Sequence, residues 1–330
     1  MTGTSWEGFD WRSTEVPRVP PDEATRRANH LPRTLRPVPG DDVVQLPVFD
    51  PALKQYQNAY RATDPRFRDP ERGEVWRAAR RRALDLVLAA IADSPWVDAL
   101  VLRGSVLMSA WFGEAAREPG DLDFVVVPHT WRMEDGRTDR MLTGIAEAAQ
   151  ERADAHGREV GVSARGAVVE DIWTYDRVPG RRMVLPWGAA GLPGGHVQLD
   201  FVFNERLPEE PEPVELAGGA VVQAATPQLS LAWKLMWLIN DVHAQGKDLY
   251  DAVLLAERHP LRRELLHEVF RLSGEWPYAC QEEILLEHVV EAVGYVEWNH
   301  FVTEYPRFRD DEREFAERLV RAVRPAFEGA

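Results

Sequence analysis

From about residue 74 the apolar positions fall into runs of helical and then strand-like spacing. Glu74 to Asp93 carries Leu84, Leu86, Val87, Ala90 and Ile91 at mixed intervals of three and four, which predicts a helix stopped by Ser94-Pro95. Trp96 to Arg103 reads as a first strand, Gly104-Ser105 as a tight turn, and Val106 to Phe112 as an amphipathic helix. A second strand runs from Asp121 to Val127. After a loop over Pro128 to Gly136, Thr138 to Ala155 is helical, with Met141, Ile145, Ala148 and Ala149 on one side. Gly166 to Tyr175 and Arg181 to Trp187 read as strands of a hairpin joined by a turn over Asp176 to Gly180. His196 to Phe203 is a strand interrupted only by Gln198 and Asp200.

From Thr226 the pattern turns helical. Thr226 caps a helix with Pro227 in its first turn, and Leu231, Leu235, Leu238, Ile239 and Val242 form a stripe ending at Gly246, with Lys234 off it. Further helical segments span Arg262 to Leu272, Glu282 to Val293 and Asp311 to Phe327. The first 70 or so residues are rich in proline and charge and predict an irregular arm, anchored on the body by Trp6, Phe9 and Trp11. The expectation is an α+β fold. It has an arm over 1–73, a mixed sheet flanked by helices over 74–225, and a C-terminal helical bundle over 226–330.

Composition narrows the partners. With 330 residues and 45% apolar content the chain can build a sizeable core. No run approaches the roughly 18 apolar residues of a membrane span, and the N-terminus lacks the basic and apolar regions of a secretory signal, so a cytoplasmic protein with no membrane partner is expected. The single Cys280 excludes an internal disulfide and a cysteine metal site, and it reads as a structural thiol. His288 and His300 stand without ligand spacing. A net charge of −15 argues against diffuse binding to nucleic acid, because such affinity comes mainly from neutralised phosphates. Local basic groups remain: Arg77, Arg80, Arg81 and Arg82 on one helix, and the pair Arg181-Arg182, each read as a solvated face. Lysine is scarce, with only Lys54, Lys234 and Lys247.

The chemistry concentrates at a few positions. A turn into a helix presents free amides and the positive dipole end, which suits phosphate. Gly104 and Ser105 supply such a turn. Asp121 and Asp123, two apart in a strand, face one side together, and like charges beside an apolar core call for a cation, most naturally a divalent metal. Asp200 is a carboxylate in a buried strand, read as a third metal ligand or a base, with a structural salt bridge as the alternative. Lys234, between Trp233 and Trp237, suits a nucleotide phosphate if its ammonium reaches a cleft, or is a snorkelling surface lysine. Asp248 and Asp251 share a helix face, where a first-turn acid also has a dipole explanation.

In this order and spacing the signals resemble the DNA polymerase β-type nucleotidyltransferases. With Arg117 four before Asp121, and with RGSVLMSAWF, REPGDLDFVV, VQLDFVF, LAWKL and GKDLYDAVLLA, the chain is similar to the AbiEii/MenT nucleotidyltransferase toxins over about residues 80 to 260. Members often carry two glycines at the turn, and here the second is Ser105. The resemblance implies that Gly104, Ser105, Arg117 and Lys234 bind nucleotide, that Asp121, Asp123 and Asp200 hold Mg²⁺ or Mn²⁺, and that Asp248 and Lys234 contribute to catalysis. The expected reaction moves a nucleoside monophosphate from an NTP to a hydroxyl. By the same resemblance the expected acceptor is the 3′ end of tRNA, in a toxin–antitoxin pair with a cognate antitoxin. A protein or small-molecule acceptor, or an inactive nucleotide-binding module, are the alternatives.

Overall fold

The computed structural model describes residues 5–10, 12–157, 159–174, 178–277 and 283–328. Trp11, Cys280, residues 175–177 and the start of the helix expected from Glu282 lie outside the described residues. The N-terminal 70 residues hold more regular structure than expected: α1 (Glu23–Ala28), β1 (Val43–Val44), β2 (Pro47–Phe49), β3 (Tyr60–Ala62) and β4 (Arg66–Phe67). β1 pairs with β4 and β2 with β3, both antiparallel. Strands of two or three residues are too short to leave a readable alternation in the sequence.

There follow α2 (Pro70–Ala92), β5 (Leu100–Arg103), α3 (Ser105–Phe112), β6 (Asp121–Val126), α4 (Gly136–Ala155), β7 (Val160–Val162), β8 (Val168–Thr174), β9 (Val178–Ala189), β10 (Gly195–Val202), β11 (Glu212–Glu215) and β12 (Val221–Ala224). The helices α5 (Pro227–Asn240), α6 (Gly246–Arg258), α7 (Arg263–Ser273), α8 (Leu286–Ala292), α9 (Trp298–Glu304), α10 (Glu312–Val323) and α11 (Pro325–Glu328) complete the described chain. The fold class is α+β. The sheet runs β11-β12-β5-β6-β10-β9-β7, and β8 pairs with β9 off that path. The first strand is shorter than expected, since Val97–Ala99 form a turn of 3₁₀ helix before β5.

The chain divides into two compact units, residues 1–101, 120–204 and 213–222 in the first, and 102–119, 205–212 and 223–330 in the second. In the first, β10 lies parallel to β6 and antiparallel to β9. Alternation sends Leu122, Phe124, Leu199 and Phe201 to one face, all buried, with Phe124 stacked on Phe201 at 5.7 Å. Helix α2, started by the Asp69 side-chain cap and Pro70, covers that face. Its Trp76 meets Trp187 at 5.3 Å, and a Cβ on Gly195 would collide with both rings. Within the N-terminal segment, Trp6 and Phe9 are buried with Val16, Leu31 and Leu35. Two arginines read as solvated are not: Arg80 is 3% exposed and pairs with Asp64, and Arg182 is 3% exposed.

In the second unit α5 packs against α6, α7 and α8, while α6 meets α9 and α10. Every residue from Leu229 to Leu238 is buried, so α5 is a central helix covered all round rather than one with a single apolar stripe. It ends at Asn240, which leaves Val242, expected in the stripe, 81% exposed. The Tyr250 ring lies 5.1 Å from those of Phe308 and Phe315, which closes the other side of α6. Among the described residues no helix is long and apolar enough to cross a membrane.

Candidate active site

In the first unit the parallel register places Asp200 opposite Asp123 and Gln198 opposite Asp121. Aligned residues of neighbouring strands share a face, so Asp121, Asp123 and Asp200 project together on the side away from Phe124 and Phe201. The antiparallel register brings Arg182 opposite Asp200. Its Nε and Nη2 each donate to a different Asp200 oxygen at 2.8 Å, and its Nη1 donates to Asp50 Oδ2 at 2.6 Å. Burial pushes the Asp200 carboxyl above the usual aspartate range; Arg182 works against this, and the charges of Asp121 and Asp50 add to it. The same burial would lower the Arg182 guanidinium, but Asp200 and Asp50 hold it well above its ordinary value.

The sequence gives no sign of Asp50, and it places Arg182 on a solvated face although the residue is buried. Arg182 carried a signal, because a charged residue inside the strand-like run RRMVLPW is as anomalous as Asp200 in HVQLDFVF. Asp50 carried none, being 132 residues away from its partner in the chain.

Two carboxylates fit a magnesium ion, which keeps several waters and takes one or two carboxylates together with substrate phosphates. Among the described residues no group of three or more His, Cys, Asp or Glu is disposed to hold a metal. Both Asp200 oxygens accept from Arg182.

The second unit holds the other expected residues. Gly104 caps α3 with φ 84° and ψ −149°, a conformation that only glycine adopts without strain. The Met108 N–H donates to the Gly104 carbonyl at 3.2 Å, so α3 starts at this glycine. Arg103, just before the turn, is buried, donates to Glu205 at 2.8 Å and lies over the rings of Trp233 and Trp237.

Lys234 is 5% exposed, so it is neither a snorkelling lysine nor at a helix surface. Its ammonium lies 2.6 Å from Asp248 Oδ1 and 3.1 Å from Asp251 Oδ2. Arg117 reaches Asp251 through a two-pronged contact, Nε to Oδ1 at 3.0 Å and Nη2 to Oδ2 at 2.9 Å. Burial would raise the Asp251 carboxyl, but Arg117 and Lys234 overcome it and hold it below the ordinary value. Burial would likewise lower Lys234, and Asp248 and Asp251 reverse that, with Arg117 opposing them. Asp251 is thus the centre of a buried cluster of two cations and two anions, joining Arg117, Lys234 and Asp248, of which the sequence spacing placed only Asp248 and Asp251 on one face.

A model of the family described as "Nucleotidyl transferase AbiEii toxin, Type IV TA system" matches residues 86–329. The chain belongs to this family. No curated protein matches the chain. All eight residues expected at the site fall inside the AbiEii match, whereas Asp50 lies outside it. A cleft of about 1000 Å³ beside β8 and β9 is lined by three arginines against four carboxylates, a balance that offers no net attraction for a nucleotide.

Proposed function

We propose that the chain is a Mg²⁺-dependent nucleotidyltransferase that moves a nucleoside monophosphate from an NTP to a hydroxyl, with the 3′ end of a tRNA as acceptor, as the cytoplasmic toxin of a pair with a cognate antitoxin. The observation that carries the reading is the alignment of Asp123 with Asp200, and of Asp121 two residues before, on one face of neighbouring strands in a chain of this family. Asp121 and Asp123 would hold the metal, which when bound neutralises charge on the phosphates and polarises the α-phosphorus.

Asp200 acts as general base and takes the proton of the acceptor hydroxyl as its oxygen bonds to the α-phosphorus. The bond from that phosphorus to the bridging oxygen breaks, and pyrophosphate leaves. The Gly104-Ser105 turn and the α3 amides offer donors of the kind that hold phosphate, and Lys234 and Arg117 offer positive charge. Asp248 and Asp251 fix the direction of those two cations, so that the cluster is preorganised.

The net charge of −15 favours a second reading, the same transfer to a protein or small-molecule acceptor. One experiment addresses both. The protein is incubated with each radiolabelled NTP, Mg²⁺, and either total RNA or lysate protein, beside an Asp123→Asn control. Label in RNA, steeply reduced by added salt and absent with the control, is expected. Label in protein alone would retire the tRNA reading, and label in neither fraction would sink the enzyme.

A further inference from the structure

We infer that Arg182 and, through it, Asp50 are positioning residues for the Asp200 carboxylate, so that the N-terminal segment outside the family match is a working part of the catalytic apparatus. The inference rests on the reading of Asp200 as the base. A guanidinium carries five N–H groups in one rigid plane, and a two-pronged contact from it fixes the plane of a carboxylate as well as its place. Arg182 makes that contact to Asp200 with its Nε and Nη2 edge. Its remaining Nη1 is held by Asp50. The guanidinium is therefore gripped at both ends, and a carboxylate gripped by it has one orientation toward the face that Asp121 and Asp123 share.

Asp50 is itself fixed. Its backbone N–H donates to the Ala59 carbonyl at 2.8 Å, and its Oδ1 accepts from the Ala52 N–H at 3.1 Å as the cap of a short 3₁₀ turn. All three members of the bridge are buried, Asp50 to 8% exposure, Arg182 to 3% and Asp200 to 7%. A second contact holds the same segment against the neighbouring strand. Glu170, directly across from Arg182 in β8, accepts from the Arg33 and Thr34 amides, the Thr34 hydroxyl and the Tyr56 hydroxyl. Arg182 alone neutralises Asp200, through its two-pronged contact, because Asp50 is itself a carboxylate. What Asp50 adds is a fixed far end for the guanidinium.

The test is steady-state nucleotidyl transfer by Asp50→Asn, Arg182→Lys and the double variant of the full chain, with melting temperature read alongside. Each single change is expected to lower kcat about 10- to 100-fold, as changes in groups that orient catalytic ligands do, with the KM for NTP within about twofold. The double variant should be little slower than Arg182→Lys alone, because the hydrogen bond by which Asp50 orients the site is made to Arg182. Asp50→Asn is close to isosteric and carries the test should Arg182→Lys not fold. Wild-type kcat in a folded Asp50→Asn protein, or losses that multiply in the double variant, would overturn the inference. Asp200→Asn separates the two layers. If it abolishes turnover while Asp50→Asn keeps the wild-type kcat, only the positioning role falls; if it leaves turnover intact, the base and its positioning fall together.

Discussion

Replacing Lys234 with methionine keeps most of the side-chain volume and removes one charge from a buried cluster. Asp251 retains its two-pronged partner Arg117, but Asp248, 4% exposed, loses the ammonium at 2.6 Å. Breaking a buried ion pair from one side costs about 3–5 kcal/mol. A second route gives a matching ceiling: an ordinary carboxyl can escape by taking a proton, which at pH 7 costs about 4 kcal/mol. That escape becomes easier by about 1.4 kcal/mol for each pH unit of acidification, so the destabilisation should shrink to about 1.5 kcal/mol at pH 5. The wild type gains no such relief, because Lys234 is held above its ordinary value and stays charged throughout. Urea unfolding followed by tryptophan fluorescence, with Trp233 and Trp237 on the same helix, reads the midpoint at both pH values. Lys234→Met combined with Asp248→Asn should recover most of the stability without recovering nucleotidyl transfer. A loss under about 1 kcal/mol at pH 7, or one that does not shrink at pH 5, would refute the claim that the cluster is a tightly paired, buried one.

Gly104→Ala forces an L residue to φ 84° and ψ −149°, and should cost about 1–3 kcal/mol and turnover together; thermal melting and label incorporation check it. His196, pushed down to about 4 by burial and then by the charge of Arg36, stays neutral in the folded chain where the unfolded one protonates near pH 6.5. Folding is therefore penalised as pH falls from about 6.5 toward 4, by at most about 3 kcal/mol, and His196→Gln should flatten that decline in a urea series. Superimposable profiles would show that the imidazole is not shielded.

The carboxylates were legible because each interrupts an apolar run, and a charge in a strand core is conspicuous. Their alignment was not, since register is set by pairing between segments about 80 residues apart in sequence and no single stretch encodes it. Lys234 stood out by rarity, yet its surroundings were misread, because a helix buried on all sides shows the same apolar spacings as a one-sided helix and more besides. Arg182 met the rule that singled out Asp200, but next to Arg181 it looked like a surface pair. The two belong to opposite faces, Arg181 pairing with Asp171 across β8. The strands β11 and β12 and the helix α9 were missed, being four to seven residues long with polar positions that resemble loop.

The four hydrogen-bond donors that converge on Glu170 also say where this protein can be cut. The family match begins at residue 86, inside α2, so a fragment started there would begin in mid-helix. It would strip Arg33, Thr34 and Tyr56 from a carboxylate that is 5% exposed, remove Asp50 from Arg182, and discard the Trp6 and Phe9 cluster. The boundary of the shared family and the boundary of the compact unit fall in different places. For expression or crystallisation the shortest sound product starts upstream of Trp6.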